Sequence, residues 1–345
     1  MRQPRFRDRN TLQTLLDGND YRRIMDMDSV VETFDLRDRR LIELNPGHDL
    51  WAATDFCTTV DAFQRQLPRD RSQPTFFYSL PQNIHPTVAL LRKVPEGETY
   101  PPGFDARVAS SLHRLDGCFG RFMAFLKQEQ LYDDSVIVVT SAHGDLLGED
   151  GRWGHSFWLY PDVMKIPLIV HVPDWLKPTI RADLDARVFS TDITASLYTL
   201  LGYQPRDLGP LFGRSFFPPR DGDSSSRRRE VPLLSSSYGA IYGVLSQNGR
   251  RLYVVDTVDA TEYALDVTDG LRRLTLTPQL MSVNRRTISD QLQALAMNEG
   301  QRLKKKLWSE PGRAVLEKLA LGPWPVGAGK SCWSCWIDCI RRSMN

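Results

Sequence analysis

The chain has 345 residues, of which 41% are hydrophobic and 25% are charged, and its formal net charge is +2. This composition is typical of a globular protein long enough for one large domain and a small one. The near balance of charges argues against a nucleic-acid partner, and no stretch approaches the roughly 20 apolar residues of a membrane span. The charged start lacks the apolar segment of a secretory signal, so we expect a cytoplasmic location. Five cysteines, three of them at the C-terminal end, do not predict a disulfide framework.

The first third of the chain predicts a charged segment, a helix and a buried strand. Residues 1–46 are rich in Arg and Asp and are interpreted as a peripheral segment with short helices. Apolar side chains then recur at helical spacing from residue 49 to 67, and Pro68 ends this helix. Residues 75–80, TFFYSL, predict a buried strand that leads into a polar turn containing His85.

The middle of the chain predicts a long helix between two strands. In residues 105–131, apolar side chains recur at steps of three and four and form one stripe. The strand–helix–strand order predicts a right-handed crossover between parallel strands. Two continuous apolar runs, 136–139 and 166–172, flank a polar loop. Continuous runs are typical of strands buried on both faces, as in a parallel sheet.

The last part of the chain predicts a separate, smaller subdomain. Residues 190–201 predict a helix with Ser190 or Thr191 as N-cap and Gly202 as its end. The loop 221–230, DGDSSSRRRE, is interpreted as a flexible boundary after an α/β core at 47–220. Beyond it we predict a small α+β subdomain at 231–310 and a tail at 311–345. Its elements are a hairpin formed by 240–245 and 251–256 around Gln-Asn-Gly, a strand at 263–267 and a helix at 288–307.

Three histidines follow the ends of predicted strands. His143 comes just after the run at 136–139, and His155 lies on the same loop twelve residues later, with Asp145 between them. His85 follows a different strand. Ligands bind at the carboxyl ends of parallel strands, and a neutral imidazole binds metals or shuttles protons. His143 alone is equally compatible with a structural role, and His155 alone favours one, but the convergence of the three histidines at one edge predicts a site.

The stretch that carries two of these histidines resembles a known family. Residues 135–173, SVIVVTSAHGDLLGEDGRWGHSFWLYPDVMKIPLIVHVP, resemble the C-terminal signature of the sulfatase-like branch of the alkaline phosphatase superfamily. Similar elements precede and follow it, at 76–86, 105–131, 192–201, 213–215 and 262–269, in the family's order. The resemblance covers roughly 75–267. It implies an α/β fold, a partial alkaline-phosphatase-like sandwich with a mostly parallel sheet, plus a small antiparallel C-terminal subdomain.

The resemblance also implies a chemistry, the metal-dependent hydrolysis of sulfuric or phosphoric esters of small molecules or glycans. The divalent metal is expected to be Ca²⁺, with Mg²⁺, Mn²⁺ and Zn²⁺ as alternatives. His143 matches the metal-site histidine and His85 the histidine beside the ester. His155 falls where sulfatases usually carry a lysine and phosphatase or transferase relatives often a histidine, so it is a candidate catalytic residue that leaves sulfate and phosphate both open.

Two departures from the family pattern limit this expectation. Ala142 stands where the family has a metal-binding aspartate, and a methyl group cannot bind a cation. The family's N-terminal half, with its metal carboxylates, is interpreted as missing, and we take the nucleophile motif Cys/Ser-x-Pro-x-Arg to be absent. Three hypotheses follow: a truncated sulfatase with weak or no activity alone, a non-catalytic pseudoenzyme, or a phosphatase or phosphotransferase of the superfamily.

Overall fold

The structure is a computed structural model that describes residues 10–26, 40–45, 55–100, 102–103, 105–155, 157–205, 213–217, 233–236 and 240–303. The chain divides into two compact units. The first contains residues 1–154 and 165–229, and the second contains residues 155–164 and 230–345. The predicted loop at 221–230 and the tail at 311–345 lie outside the described residues.

Helices and strands alternate through the first unit and are segregated in the second. The helices are α1 Leu12–Gly18, α2 Phe56–Gln66, α3 Pro86–Ala89, α4 Ala106–Gln128, α5 Pro161–Met164, α6 Ser190–Leu200 and α7 Pro278–Leu303. The strands are β1 Arg22–Met25, β2 Leu41–Glu43, β3 Thr75–Tyr78, β4 Ile137–Thr140, β5 Leu146–Leu147, β6 Trp153–Gly154, β7 Leu168–His171, β8 Leu233–Ser235, β9 Ile241–Ser246, β10 Arg251–Asp256, β11 Thr261–Asp266 and β12 Arg272–Leu274. No helix within the described ranges is long and apolar enough to cross a membrane.

The N-terminal segment supplies the central strand of a parallel sheet. The strand order is β2-β1-β3, and Ile24 of β1 lies opposite Ile42 and Phe77. This segment was interpreted as peripheral, and the structure corrects that interpretation. β1 has two arginines and only two apolar residues, so it carries no hydrophobic pattern that predicts burial. Arg23 is nevertheless 2% exposed, because Asp17 pairs with its guanidinium at 3.1 Å.

Helices α2 and α4 pack against this sheet and form the core of the first unit. The ring centroid of Phe63 lies 4.4 Å from that of Phe77 and 5.6 Å from that of Phe122. The apolar stripe predicted for α4 is confirmed in its second half, where four of its residues join this core. The structure adds one disulfide that the sequence analysis did not anticipate, between Cys57 of α2 and Cys118 of α4.

Strands β4 and β7 lie where apolar runs were predicted, but they pair antiparallel, with Val138 opposite Val170. The prediction of a parallel, doubly buried pair is wrong for these two strands. A continuous apolar run contains no information about the direction of its neighbour. The β5–β6 hairpin lies between the two strands, and after it the chain returns in the opposite direction as β7. Ile169 of β7 is 64% exposed, so this strand is not buried on both faces.

The end of α6 agrees with its prediction, but its start does not. Gly202 has φ +71° after the helix, as expected of a residue that ends it. The N-cap is Phe189 instead of Ser190 or Thr191. The backbone N–H of Phe189 donates to Oδ2 of Asp192 at 2.8 Å. The aspartate in the first turn therefore satisfies an N–H group that has no partner within the helix.

The second unit is an antiparallel sheet of order β12-β11-β10-β9-β8 packed against α7. The predicted hairpin is confirmed, with Val244 opposite Tyr253. Its turn residues Gln247 and Asn248 have positive φ angles, which suit the right-handed twist of the flanking strands. Helix α7 begins at Pro278, ten residues before the predicted start, and Thr277 caps it by accepting from the N–H of Leu280. The sequence analysis placed the start too late because polar residues in the first turns obscure the apolar period.

Candidate functional site

His143 lies in the loop between β4 and β5, and its ring orientation is set by the backbone. Its Nδ1 lies 2.9 Å from the carbonyl oxygen of Gly144, and a carbonyl only accepts, so Nδ1 carries the hydrogen. The neutral ring therefore presents its lone pair at Nε2. Asp145 approaches from the same side, with Oδ2 3.8 Å from Nδ1. An imidazole held in this way is prepared to bind a metal or accept a proton through Nε2.

The loop that carries His143 continues into a small antiparallel hairpin formed by β5 and β6. Leu146 pairs with Gly154 and is 2% exposed, so it anchors the hairpin in the protein. Gly148 has φ +118°, and a Cβ there would lie 3.1 Å from the ring of Trp153. Glycine is required at this turn by both conformation and space. His143 is thereby tied to a defined backbone on both sides.

His155 follows β6 directly and is the first residue of the second unit. Its spatial relation to the other two histidines stays a prediction.

His85 directly precedes helix α3, and its backbone is part of a tight turn. Its carbonyl oxygen accepts from the N–H groups of Val88 at 2.8 Å and Ala89 at 2.9 Å. Asn83, two residues earlier, is fully buried. Its Oδ1 accepts from the backbone N–H of Phe56 at 2.8 Å, which fastens the turn to the start of α2.

Asp55 completes this fastening and was missed by the sequence analysis. Its carboxylate accepts hydrogen bonds from Asn83 at 3.1 Å, Arg114 at 2.7 Å and Arg92 at 3.2 Å. Burial raises the pKa of Asp55, but the hydrogen bonds from Arg114 and Arg92 outweigh it and lower that pKa to about 2. A charged Asp55 thus holds the turn that carries His85. The available signal was an aspartate in N-cap position before an apolar helix.

Asp26 is a second acid that sequence reasoning missed. It follows the central strand β1 and is 3% exposed. Its Oδ2 accepts from the hydroxyls of Thr59 at 2.9 Å and Ser79 at 2.6 Å, and its N–H donates to the carbonyl of Tyr78. The carboxylate joins β1, the end of β3 and α2 at the carboxyl edge of the parallel sheet, where ligands of such sheets bind.

The Gly-Arg-Ser element at 213–215 has a structural role. Gly213 has φ +87°, and a Cβ there would lie 2.2 Å from the carbonyl oxygen of Thr191. The next residue, Arg214, donates its backbone N–H to Oδ1 of Asp192 at 2.8 Å. Asp192 therefore braces this element against the start of α6.

A divalent cation is implied by the family resemblance, and the donors of the first unit fit one in part. Ala142 offers no ligand atom. His143 and Asp145 supply one imidazole and one carboxylate close together. Both are donors that divalent metals accept, and imidazole suits Zn²⁺ or other transition metals better than Ca²⁺.

A family model described as Sulfatase matches residues 4–203. The chain belongs to the sulfatase family. The resemblance inferred from the signature is therefore confirmed. The match begins well before residue 75, where the motifs started, so the segment that contains β1 is part of the family domain.

Individual relatives agree with this assignment. The chain is 25% identical over 178 residues to an endo-4-O-sulfatase from Bacteroides thetaiotaomicron, which covers 52% of this chain and 31% of that protein. The chain thus spans about a third of the length of this relative.

Two solved structures share the fold. One is a protein in the alkaline phosphatase superfamily from Vibrio parahaemolyticus, with TM-score 0.57, 18% identity and coverage of 84% of this chain and 68% of that one. The other is the lipoteichoic acid synthase LtaP from Listeria monocytogenes, with TM-score 0.52, 14% identity and coverage of 82% and 72%. The predicted α/β class with a parallel sheet and a small antiparallel sheet is confirmed.

The interpretation that no nucleophile motif occurs in the sequence is wrong for serine. Residues Ser309-Glu310-Pro311-Gly312-Arg313 have the spacing Ser-x-Pro-x-Arg. They follow the signature in the chain instead of preceding it, and they lie outside both the family match and the described residues. No cysteine has this context.

Proposed function

We propose that this chain is a metal-dependent hydrolase of sulfuric or phosphoric esters, carried by small molecules or glycans, and that it is weakly active or inactive alone. Family membership supports the reaction class. The observation that carries the proposal is the orientation of His143, whose Nδ1–H is directed to a backbone carbonyl so that Nε2 is available to a metal or a proton.

In this proposal His143 holds the cation through Nε2, and Asp145 supplies the neighbouring negative charge. A bound divalent ion would neutralise the charge of the ester oxygens during attack. His85 contacts the ester and donates a proton to the leaving oxygen, which requires the fixed turn that Asp55 and Asn83 provide. His155 binds the anionic group of the substrate.

The expectation of weak activity rests on position 142. A catalytic cation in this family is held mainly by carboxylates, and Ala142 removes one of them. The imidazole of His143 can bind a cation at Nε2 only weakly by itself, because each missing charged ligand lowers affinity and Asp145 lies on the Nδ1 side of the ring. A pseudoenzyme has the same donor set, so the two hypotheses differ only in turnover.

Metal binding tests the site without depending on activity. Titration calorimetry of the purified chain with Zn²⁺, Mn²⁺, Mg²⁺ and Ca²⁺ is expected to show binding that is lost in His143→Ala. His113→Ala is the matched control, because His113 is exposed on α4. Ala142→Asp should raise affinity at least tenfold, since it adds a carboxylate to the same loop. Equal affinities in all four proteins would reject this assignment.

Turnover distinguishes the three hypotheses. Aryl sulfate and aryl phosphate are offered with each metal to the chain and to Ala142→Asp. Hydrolysis that disappears in His85→Ala and His143→Ala supports an enzyme, and the preferred ester decides between sulfatase and phosphatase. Loss of turnover in Ser309→Ala would identify that serine as the nucleophile source. Metal binding without any turnover in Ala142→Asp would favour the pseudoenzyme.

A further inference from the structure

Two short sheets of the first unit lie in the same layer and are not hydrogen-bonded to each other. One is the parallel sheet β2-β1-β3, and the other is the antiparallel pair β4-β7. Phe77 of β3 and Ile137 of β4 pack against the same apolar cluster, which contains Phe122 and Leu126 of α4. A helix with its side chains is about 10–12 Å wide, whereas neighbouring strands lie about 4.8 Å apart. This width covers two spacings, which leaves room for one strand between β3 and β4.

The opposite faces of β3 and β4 are covered by a second helix. Phe76 belongs to a cluster with Tyr198 of α6, and its side chain alternates along β3 with that of Phe77. Val136, directly before β4, packs against a cluster that contains Leu200 of the same helix. Both strands are thus enclosed between α4 and α6, as in a sheet with helices on both of its faces.

The backbone of β3 offers hydrogen bonds on the side that faces away from β1. The carbonyl of Pro74 accepts from the N–H of Arg22 at 2.9 Å. The carbonyl of Tyr78 accepts from the N–H of Asp26 at 3.0 Å. Because the bonding direction alternates along a strand, the N–H and C=O of Phe77 point to the other edge. Within the described residues β3 is hydrogen-bonded to β1 alone and β4 to β7 alone, and such edges are templates for a further strand.

Side-chain burial shows that the layer is incomplete between these two edges. Ile24 of β1 has a neighbouring strand on each side and is 0% exposed. Phe77, one strand further, is only partly buried, although helices cover both faces. The same holds for the three apolar residues of β4, Ile137, Val138 and Val139. The cover that these side chains lack is that of a strand between β3 and β4.

We propose that the gap between β3 and β4 binds an extended apolar segment of a partner polypeptide, which pairs with both edges as an added strand. The two short sheets then form one sheet in the order β2-β1-β3, added strand, β4-β7. Because helices cover both faces, the segment is a continuous run of about five apolar, mainly β-branched residues. Main-chain hydrogen bonds and burial of these side chains supply the affinity, as in other cases of strand addition.

The sequence favours a partner over the chain itself as the source of this strand. Within the described ranges every strand is already hydrogen-bonded to a neighbour. Outside those ranges, the sequence contains no run of four successive Val, Ile, Thr, Phe, Tyr or Trp residues. A strand enclosed on both faces requires such a run, since a polar side chain there would be buried without a partner.

A synthetic strand tests the gap with the full chain. The probe is a fluorescent peptide with about five alternating Val and Ile residues between lysine-rich ends, and fluorescence anisotropy measures its binding in EDTA. We expect saturable binding. A peptide with proline at its centre should bind roughly tenfold more weakly, because proline lacks the N–H that pairs with the edge. Equal affinity for the two peptides, or no saturable binding, would overturn the proposal.

Hydrogen exchange locates the bound peptide at single amides. The amide of Phe77 points into the gap and should exchange roughly tenfold more slowly when the peptide is bound. The amide of Phe76 points to β1 and should not change, which makes it an internal control. Protection of Phe77 in the monomeric chain alone would show that a segment of this chain fills the gap, and protection confined to other surfaces would also overturn the proposal.

One variant and one matched control examine the edge of β4. Val139→Lys places a charge beside the gap and should weaken peptide binding roughly tenfold. Ile169→Lys should bind as the original chain does, because Ile169 lies opposite Val139 on β7, one strand further from the gap, and is 64% exposed. Melting temperatures establish that both variants fold. Equal affinities in the two variants would reject the gap as the binding site.

Sedimentation of the chain without peptide tests a second copy as the occupant. A monomer is expected, and a dimer that protects the amide of Phe77 would assign the gap to another copy of this chain and overturn the proposal. The inference does not rest on the hydrolase proposal, because neither a metal nor an ester is present in these measurements. Absence of turnover would therefore refute the hydrolase and leave the added strand intact.

Discussion

Reduction of the Cys57–Cys118 disulfide is expected to lower the free energy of unfolding of the first unit by about 4 kcal/mol. The bond joins residues 61 apart in sequence and so restricts a long loop in the unfolded chain. The loop-entropy relation for that length gives about 4 kcal/mol at 25 °C, a large part of the roughly 5–15 kcal/mol that stabilises a domain. Cys118 is 1% exposed among aromatic and aliphatic side chains, where a free thiol packs as a small apolar group.

The measurement is urea denaturation with and without reductant, in a background where Cys332, Cys335 and Cys339 are serine. Cys57→Ala in that background is the control, and its midpoint should not respond to reductant. Identical midpoints for the oxidised and reduced pair would refute the loop-entropy reasoning. Disulfides persist mainly in oxidising compartments. The cytoplasmic location therefore stays a prediction, which the oxidised fraction of this pair in alkylated cell extracts would test.

Three further substitutions test the packing of the first unit. Because the pKa of Asp55 is lowered from 3.8 to about 2, it contributes stability above pH 4 that is lost as the pH falls toward 2. Asp55→Asn should remove about 1–2 kcal/mol of this dependence after solvent screening, whereas Asp61→Asn, at an exposed ion pair, should leave acid denaturation curves unchanged. Gly213→Ala should cost about 2–4 kcal/mol in denaturant unfolding because its Cβ meets a backbone carbonyl, and Gly97→Ala, with the same φ but open space, should cost about 1 kcal/mol. Asp26→Ala leaves the hydroxyls of Thr59 and Ser79 without their acceptor and should lower the free energy of unfolding by about 2–4 kcal/mol. Asp26→Asn keeps one acceptor oxygen and should cost less, so equal losses in the two variants would contradict the hydrogen-bond argument.

The sequence was sufficient where local patterns act alone. The stripe on α4 appears as a 3.6-residue period, and in the turn at Gln247-Asn248-Gly249 the last two residues are of types that tolerate positive φ. The signature around His143 led to the sulfatase family, because several motifs in a fixed order are more specific than any one.

Features that depend on distant partners could not be read in this way. Arg23 is buried in the central strand because Asp17 neutralises it, and the direction of β4 relative to β7 follows from the path of the chain between them. Asp55 holds the turn of His85 through Asn83, and arginines 37 and 59 residues away in sequence keep its carboxylate charged.

The sequence by itself determined the periods, turns and motif order of this protein, because these arise from the conformational preferences of neighbouring residues. Only the tertiary structure decided which charged groups are buried and with whom they pair. Burial of charge depends on a partner that folding brings near, and Arg23 is 2% exposed beside Asp17 although its sequence neighbourhood does not predict burial.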